Sequence, residues 1–169
     1  RSGGPGAWSF PRLHTPGFCA IVGTMTDILT VSQIKTPGTA SGKDDAIREA
    51  GQILVDAGAV GPEYIDAMFE REKSVSTYMG NFLAIPHGTN EAKDSIKASA
   101  LSVVRYENPI DWDGNEVRFV IGIAGYEGGH LEILGKVAIV FSDMDEVDKL
   151  VAAGSAQELY DLLNAVNED

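Results

Sequence analysis

Val117 to Ala124 reads Val-Arg-Phe-Val-Ile-Gly-Ile-Ala, a run rich in β-branched residues that favours a pleated strand over a helix. Two further strand candidates precede it, Phe82 to Pro86 and Ala100 to Tyr106 (Ala-Leu-Ser-Val-Val-Arg-Tyr). The pairs Asn108-Pro109 and Asp113-Gly114 punctuate the link before Val117, and Trp112 is expected to pack on the sheet. On either side the apolar period changes. Ala46, Ile47, Ala50, Ile53, Leu54 and Ala57 recur at helical spacing up to Gly58, with Ser41 as the expected N-cap and Asp44 three residues on. Gly61-Pro62-Glu63 opens a second helix, with Ile65, Met68 and Phe69 on its apolar stripe and an end near Lys73. Ser74 to Asn81 reads as a loop. From His130 onward Leu131, Leu134, Val137, Ala138 and Phe141 repeat at helical spacing. Met144 to Ala152 and Ala156 to Val166 suggest two more helices, with Ser155 as a cap. A short strand at Ile28 to Ile34 completes the order β-α-α-β-β-β-α-α-α. That order predicts an α/β (α+β) fold, a sheet covered by helices in a single layered domain.

Residues 1–24 differ from the rest. They hold three of the seven prolines, five of the nineteen glycines and the single cysteine, Cys19, without hydrophobic periodicity. We read them as a disordered leader or added extension, and residues 25–169 as the domain. One cysteine excludes an internal disulfide framework and points to a reducing cytoplasm. No apolar run approaches the roughly 20 residues that cross a bilayer, so no direct membrane insertion is expected. The net charge of −12 argues against nucleic acid and anionic membranes as partners. It suits steering toward a basic protein surface, or solubility alone.

Among three histidines, His87 is the most constrained. It sits in Ile85-Pro86-His87-Gly88-Thr89, at the end of a predicted strand. Proline fixes φ before it and glycine frees the backbone after it. His130 follows the Val117–Ala124 strand and Gly128-Gly129, at the start of a predicted helix. Both imidazoles therefore fall at carboxyl ends of strands, where ligand sites gather in helix-covered sheets. If they meet, one is a nucleophile and the other a hydrogen-bond donor. The positive end of the helix at His130 would favour an anion such as a phosphoryl group. The alternative for His87 is a turn histidine that merely satisfies backbone groups, and the rigid turn and the second histidine weigh against it. Arg71, in Glu70-Arg71-Glu72-Lys73, is either part of a solvated charge run or a fork for phosphoryl oxygens. Thr77 and Thr89 are weaker candidates, since threonine in turns commonly bonds backbone. Glu91 reads as a structural partner for Arg71 or Lys93, although a His/Glu metal pair is conceivable. So few histidines argue against a dedicated zinc or iron site. Gly122 to Gly129 lacks the G-x-G-x-x-G spacing, and no phosphate-loop or nucleophile-elbow motif occurs.

Tyr78-Met79-Gly80, Ile85-Pro86-His87-Gly88-Thr89 and Glu91-Ala92-Lys93 together resemble the active-site segment of enzyme IIA domains. These are the mannitol/fructose class of the bacterial sugar phosphotransferase system. Glu63-Tyr64, Ala67-Met68 and Arg71-Glu72-Lys73 resemble the preceding helix of the mannitol branch, and Gly129-His130-Leu131 its second histidine segment. The resemblance runs from about Thr26 to Glu168. It implies a three-layer α/β/α sandwich on a mixed sheet. It also implies a reaction without cofactor or metal. His87 takes a phosphoryl group from the phosphohistidine of the carrier protein HPr and passes it to a cysteine of enzyme IIB. His130 supports the phosphoryl group and Arg71 stabilises its charge, with Thr77, Pro86, Gly88, Thr89 and Glu91 in supporting positions. The nitrogen-type regulatory IIA and a metal- or ligand-binding module are the competing readings.

Overall fold

A computed structural model describes residues 28–126 and 129–167. The expected leader at 1–24 lies outside the described residues. Five strands form one mixed sheet: β1 (Ile34–Lys35), β2 (Tyr78–Gly80), β3 (Leu83–Ala84), β4 (Ala100–Trp112) and β5 (Asn115–Ala124). Their order across the sheet is β1-β4-β5-β3-β2. β1 runs parallel to β4, β3 runs parallel to β5, and the β4/β5 and β2/β3 pairs are antiparallel. The helices are α1 (Lys43–Asp56), α2 (Glu63–Ser74), α3 (His130–Phe141), α4 (Met144–Ala152) and α5 (Ala156–Leu163).

Strand alternation assigns the two faces. Leu101 and Val103 of β4, with Phe119, Ile121 and Ile123 of β5, pack against Ile133, Val137 and Phe141 of α3, Val147 and Leu150 of α4, and Leu159 and Leu163 of α5. Ala100, Val104 and Tyr106 of β4, with Val120 and Ala124 of β5, face Ala46, Ile47, Ala50 and Leu54 of α1 and Tyr64 and Met68 of α2. Two cores, one on each side of a single sheet, make the three layers.

Four local expectations need correction. The segment Ile28 to Ile34 forms a 3₁₀ turn at Val31–Gln33 and leaves only Ile34–Lys35 as strand. Polar side chains take over its backbone bonds. Gln33 Nε2 donates to Ile28 O and Leu101 O, and Asn167 Oδ1 accepts from the N–H groups of Ile28 and Leu29. Asn108-Pro109 does not end a strand. β4 runs through it at a register shift between Arg105 and Ile110, where a residue without N–H is tolerated. Asp113-Gly114 alone makes the hairpin turn, both with positive φ (55° and 95°). The loop expected at Ser74–Asn81 contains β2, so a fourth strand stands between the early helices and α3. Ser41 is not the cap of α1. Gly42 occupies the N-cap position with no side-chain bond, whereas Ser155 does cap α5 by accepting from the Glu158 N–H.

Candidate functional site

β3 and β5 are neighbours and parallel, and their pairing continues past β3 into the His87 turn. His87 pairs with Ile123, and the Ile123 N–H donates to Pro86 O at 3.1 Å. The ladder thus carries His87 to the carboxyl end of β5. One residue beyond β5 stands Gly125, and a Cβ there would lie 2.1 Å from the His130 backbone nitrogen and 2.4 Å from its Cα. Only glycine lets α3 begin so close to the strand end, and this brings the second imidazole over the first. The ring centroids of His87 and His130 are 6.2 Å apart, with 27° between their planes.

Both rings open into a cleft of about 530 Å³, lined also by Arg71, Thr77, Gly88, Thr89, Leu131 and Leu134. The structure brings Arg71, Thr77, His87, Gly88, Thr89 and His130 together, with Pro86 buried beside them. The side chain of Glu91 lies outside the described residues; its backbone belongs to a 3₁₀ turn at Asn90–Ser95. Leu131, expected on the buried stripe of α3, is instead 68% exposed at the cleft, and Ile133 takes the core position.

His87 Nδ1 lies 2.8 Å from Ile85 O. A carbonyl only accepts, so Nδ1 carries the ring proton and Nε2 keeps its lone pair. Burial pushes the His87 pKa below its ordinary value, the positive charge of Arg71 and the proximity of His130 push the same way, and the Ile85 bond opposes them. A neutral imidazole with a bare Nε2 is a nucleophile. Arg71 Nη1 donates to Val75 O at 2.8 Å, which ties the guanidinium across the last turn of α2 at the cleft edge. α3 begins at His130, so the positive end of its dipole also meets the cleft.

Two residues were missed in the charge run and its helix. Glu72 is buried and accepts from the Thr77 N–H (3.1 Å), the Thr77 hydroxyl and Trp112 Nε1 (3.1 Å), with Lys43 Nζ at 3.5 Å. The Thr77 hydroxyl is therefore engaged with Glu72. Tyr64 is 2% exposed, and its hydroxyl touches both Gly88 and Ile123. The signal was available: Tyr64, Met68 and Glu72 recur at i, i+4, i+8 and share one helix face.

Residues 27–166 match the family model for the phosphoenolpyruvate-dependent sugar phosphotransferase system, EIIA 2. The chain belongs to this enzyme IIA family. It is accordingly a phosphotransferase, a phosphoryl-transfer component of that system. The mannitol-specific phosphotransferase enzyme IIA component of Halalkalibacterium halodurans is 52% identical over 141 residues, covering 83% of this chain and 97% of the relative. IIA mannitol from Escherichia coli superposes with a TM-score of 0.75 at 34% identity, covering 80% of this chain and 98% of that one. The same Escherichia coli protein in complex with phosphorylated IIB mannitol matches equally, with TM-score 0.75 and 34% identity over 80% of this chain and 96% of that chain. The nitrogen regulatory protein IIA-Ntr of Neisseria meningitidis is more distant, with TM-score 0.68 and 28% identity over 85% and 99% of the two chains. These enzyme IIA relatives share the α/β class of the fold described above.

Proposed function

We propose that this enzyme IIA is the mannitol-type component, carrying a phosphoryl group on His87 Nε2. The phosphohistidine of HPr donates the group, and a cysteine of enzyme IIB receives it. The observation that carries the reading is the Nδ1–H bond of His87 to Ile85 O, which leaves Nε2 free beside His130 and Arg71. In this scheme the Nε2 lone pair attacks phosphorus in line with the departing donor nitrogen. One N–P bond forms as the other breaks, and negative charge spreads over three equatorial oxygens. His130 donates to one of these oxygens and Arg71 offers its planar fork to two. Fixed donors and alignment do most of the catalysis. The scheme calls for no cofactor or metal. Residues 25–169 act as one cytoplasmic domain, and no described helix is long and apolar enough to cross a membrane.

Mannitol is favoured by the 52% identity to a mannitol-specific enzyme IIA component, and IIB as acceptor by the Escherichia coli complex. The nitrogen-type regulatory reading has support from the Neisseria relative, at lower identity. Mass spectrometry after incubation with phosphoenolpyruvate, enzyme I and HPr tests the assignment. An acid-labile phosphoryl adduct should map to the peptide containing His87 and be absent from His87→Ala. Label on that variant at the wild-type level overturns the role of His87. His130→Ala should accept the group but deliver it poorly to IIB. Faster uptake from a nitrogen-type phosphocarrier than from HPr would move the protein to the regulatory branch.

A further inference from the structure

A parallel pair in the His87/Ile123 register has two rungs: the Ile123 N–H to Pro86 O, and the Gly88 N–H to Ile123 O. The first is made directly at 3.1 Å. The second runs through a side chain. The Gly88 N–H donates to the Tyr64 hydroxyl at 2.8 Å, and that hydroxyl donates to Ile123 O at 2.8 Å. A phenol from α2 is thus wedged into the last rung of the ladder that carries His87. The turn and the strand end are therefore joined through the Tyr64 oxygen as well as directly. The ring presses on the same turn, since a Cβ on Gly88 would stand 2.5 Å from Tyr64 Cε1. Burial pushes the Tyr64 pKa up, so the hydroxyl keeps the proton that it donates.

We infer that Tyr64 is a positioning residue for His87: its hydroxyl, inserted between β5 and the His87 turn, sets the distance and tilt at which the imidazole faces His130. Tyr64 is buried and does not line the cleft. It acts through the backbone of Pro86 to Gly88 and not on a partner or a phosphoryl group. The kinetic part of the inference rests on the reading of His87 as the phosphoryl acceptor; the geometric part does not.

Tyr64→Phe removes the oxygen and keeps the ring. Transfer from phosphorylated HPr should fall about 10- to 100-fold in kcat, as expected for a slight misplacement of a reacting group, with KM for HPr unchanged. Nitrogen-15 NMR of the His87 ring should change from a single Nδ1–H tautomer to a mixture. Tyr106→Phe is the control. Tyr106 is likewise buried and hydrogen-bonded, to Glu49, away from the cleft, and its variant should keep kcat and the His87 signals. Should Tyr64→Phe fail to fold, Gly88→Ala disturbs the same contact from the other side, with the same two outcomes expected. Unchanged kcat and ring signals overturn the inference, as does an equal loss of kcat in both tyrosine variants. If the wild-type protein takes no label on His87, the acceptor reading fails. The NMR comparison then decides the positioning role by itself: a mixed tautomer sustains it and an unaltered spectrum refutes it.

Discussion

At the scale of single residues, His87 is governed by its surroundings more than by its own chemistry. Burial holds its pKa below 6.5, the ordinary value. Between the lowered value and 6.5 the unfolded chain binds more protons than the folded one, so stability rises with pH across that window. The His87 contribution is complete above the ordinary value and is lost as pH falls through the folded one. Thermal melts from about pH 7 to about pH 5, the range in which histidines titrate, should therefore show a shallower decline for His87→Gln than for the wild type. Parallel curves would mean that His87 titrates no differently in the folded state. Glu72 is a buried carboxyl group that accepts from several donors. Its neighbours are the Thr77 N–H and hydroxyl, the Trp112 indole and Lys43, which also reaches Asp113 at 2.8 Å. Glu72→Ala leaves the indole N–H and the backbone N–H without an acceptor and should cost about 3 kcal/mol, measured by urea unfolding. A loss below about 1 kcal/mol would imply that water replaces the carboxylate.

At the scale of elements, capping separates what a sequence signal suggests from what the chain uses. Ser155 accepts from the Glu158 N–H, so Ser155→Ala should lower stability by about 1 kcal/mol. Ser41 makes no such bond at α1, where Gly42 is the cap, and Ser41→Ala should change stability by less than about 0.5 kcal/mol. Matched urea curves for the two variants check both numbers; equal effects would contradict the assignment of the caps. The same contrast holds for β4. Its Asn108-Pro109 reads as a break, yet the long hairpin with β5 absorbs the missing N–H at its register shift. β1 fails in the other direction, because Gln33 and Asn167 hold the segment before it by side-chain bonds that no periodicity reports.

At the scale of the molecule, a net charge of −12 bears on docking. If a basic carrier surface approaches the cleft, the second-order rate of phosphoryl transfer should fall steeply as salt rises from about 10 mM to about 500 mM, with the single-turnover rate at saturation nearly constant. Insensitivity to salt would leave charge with solubility as its only role. The helices α1 to α5 and the strand β5 were legible because burial on one face imposes a period on the chain, and a period is a local property. The placement of His87 on a turn at a strand end was legible for a related reason, since proline and glycine constrain the backbone wherever they stand. The meeting of His87 with His130 was not local. It required β3 to lie parallel beside β5, and Gly125 to let α3 start against the strand end. Glu72 read as part of a charge run and Tyr64 stood outside the expected apolar stripe, because their partners Thr77, Trp112, Gly88 and Ile123 come from other elements. The sequence by itself determined the layered α/β class and most of the elements. Tertiary structure alone decided which polar groups share the cleft and which lie beneath it, since hydrogen bonds between distant segments exist only after the sheet has chosen its strand order.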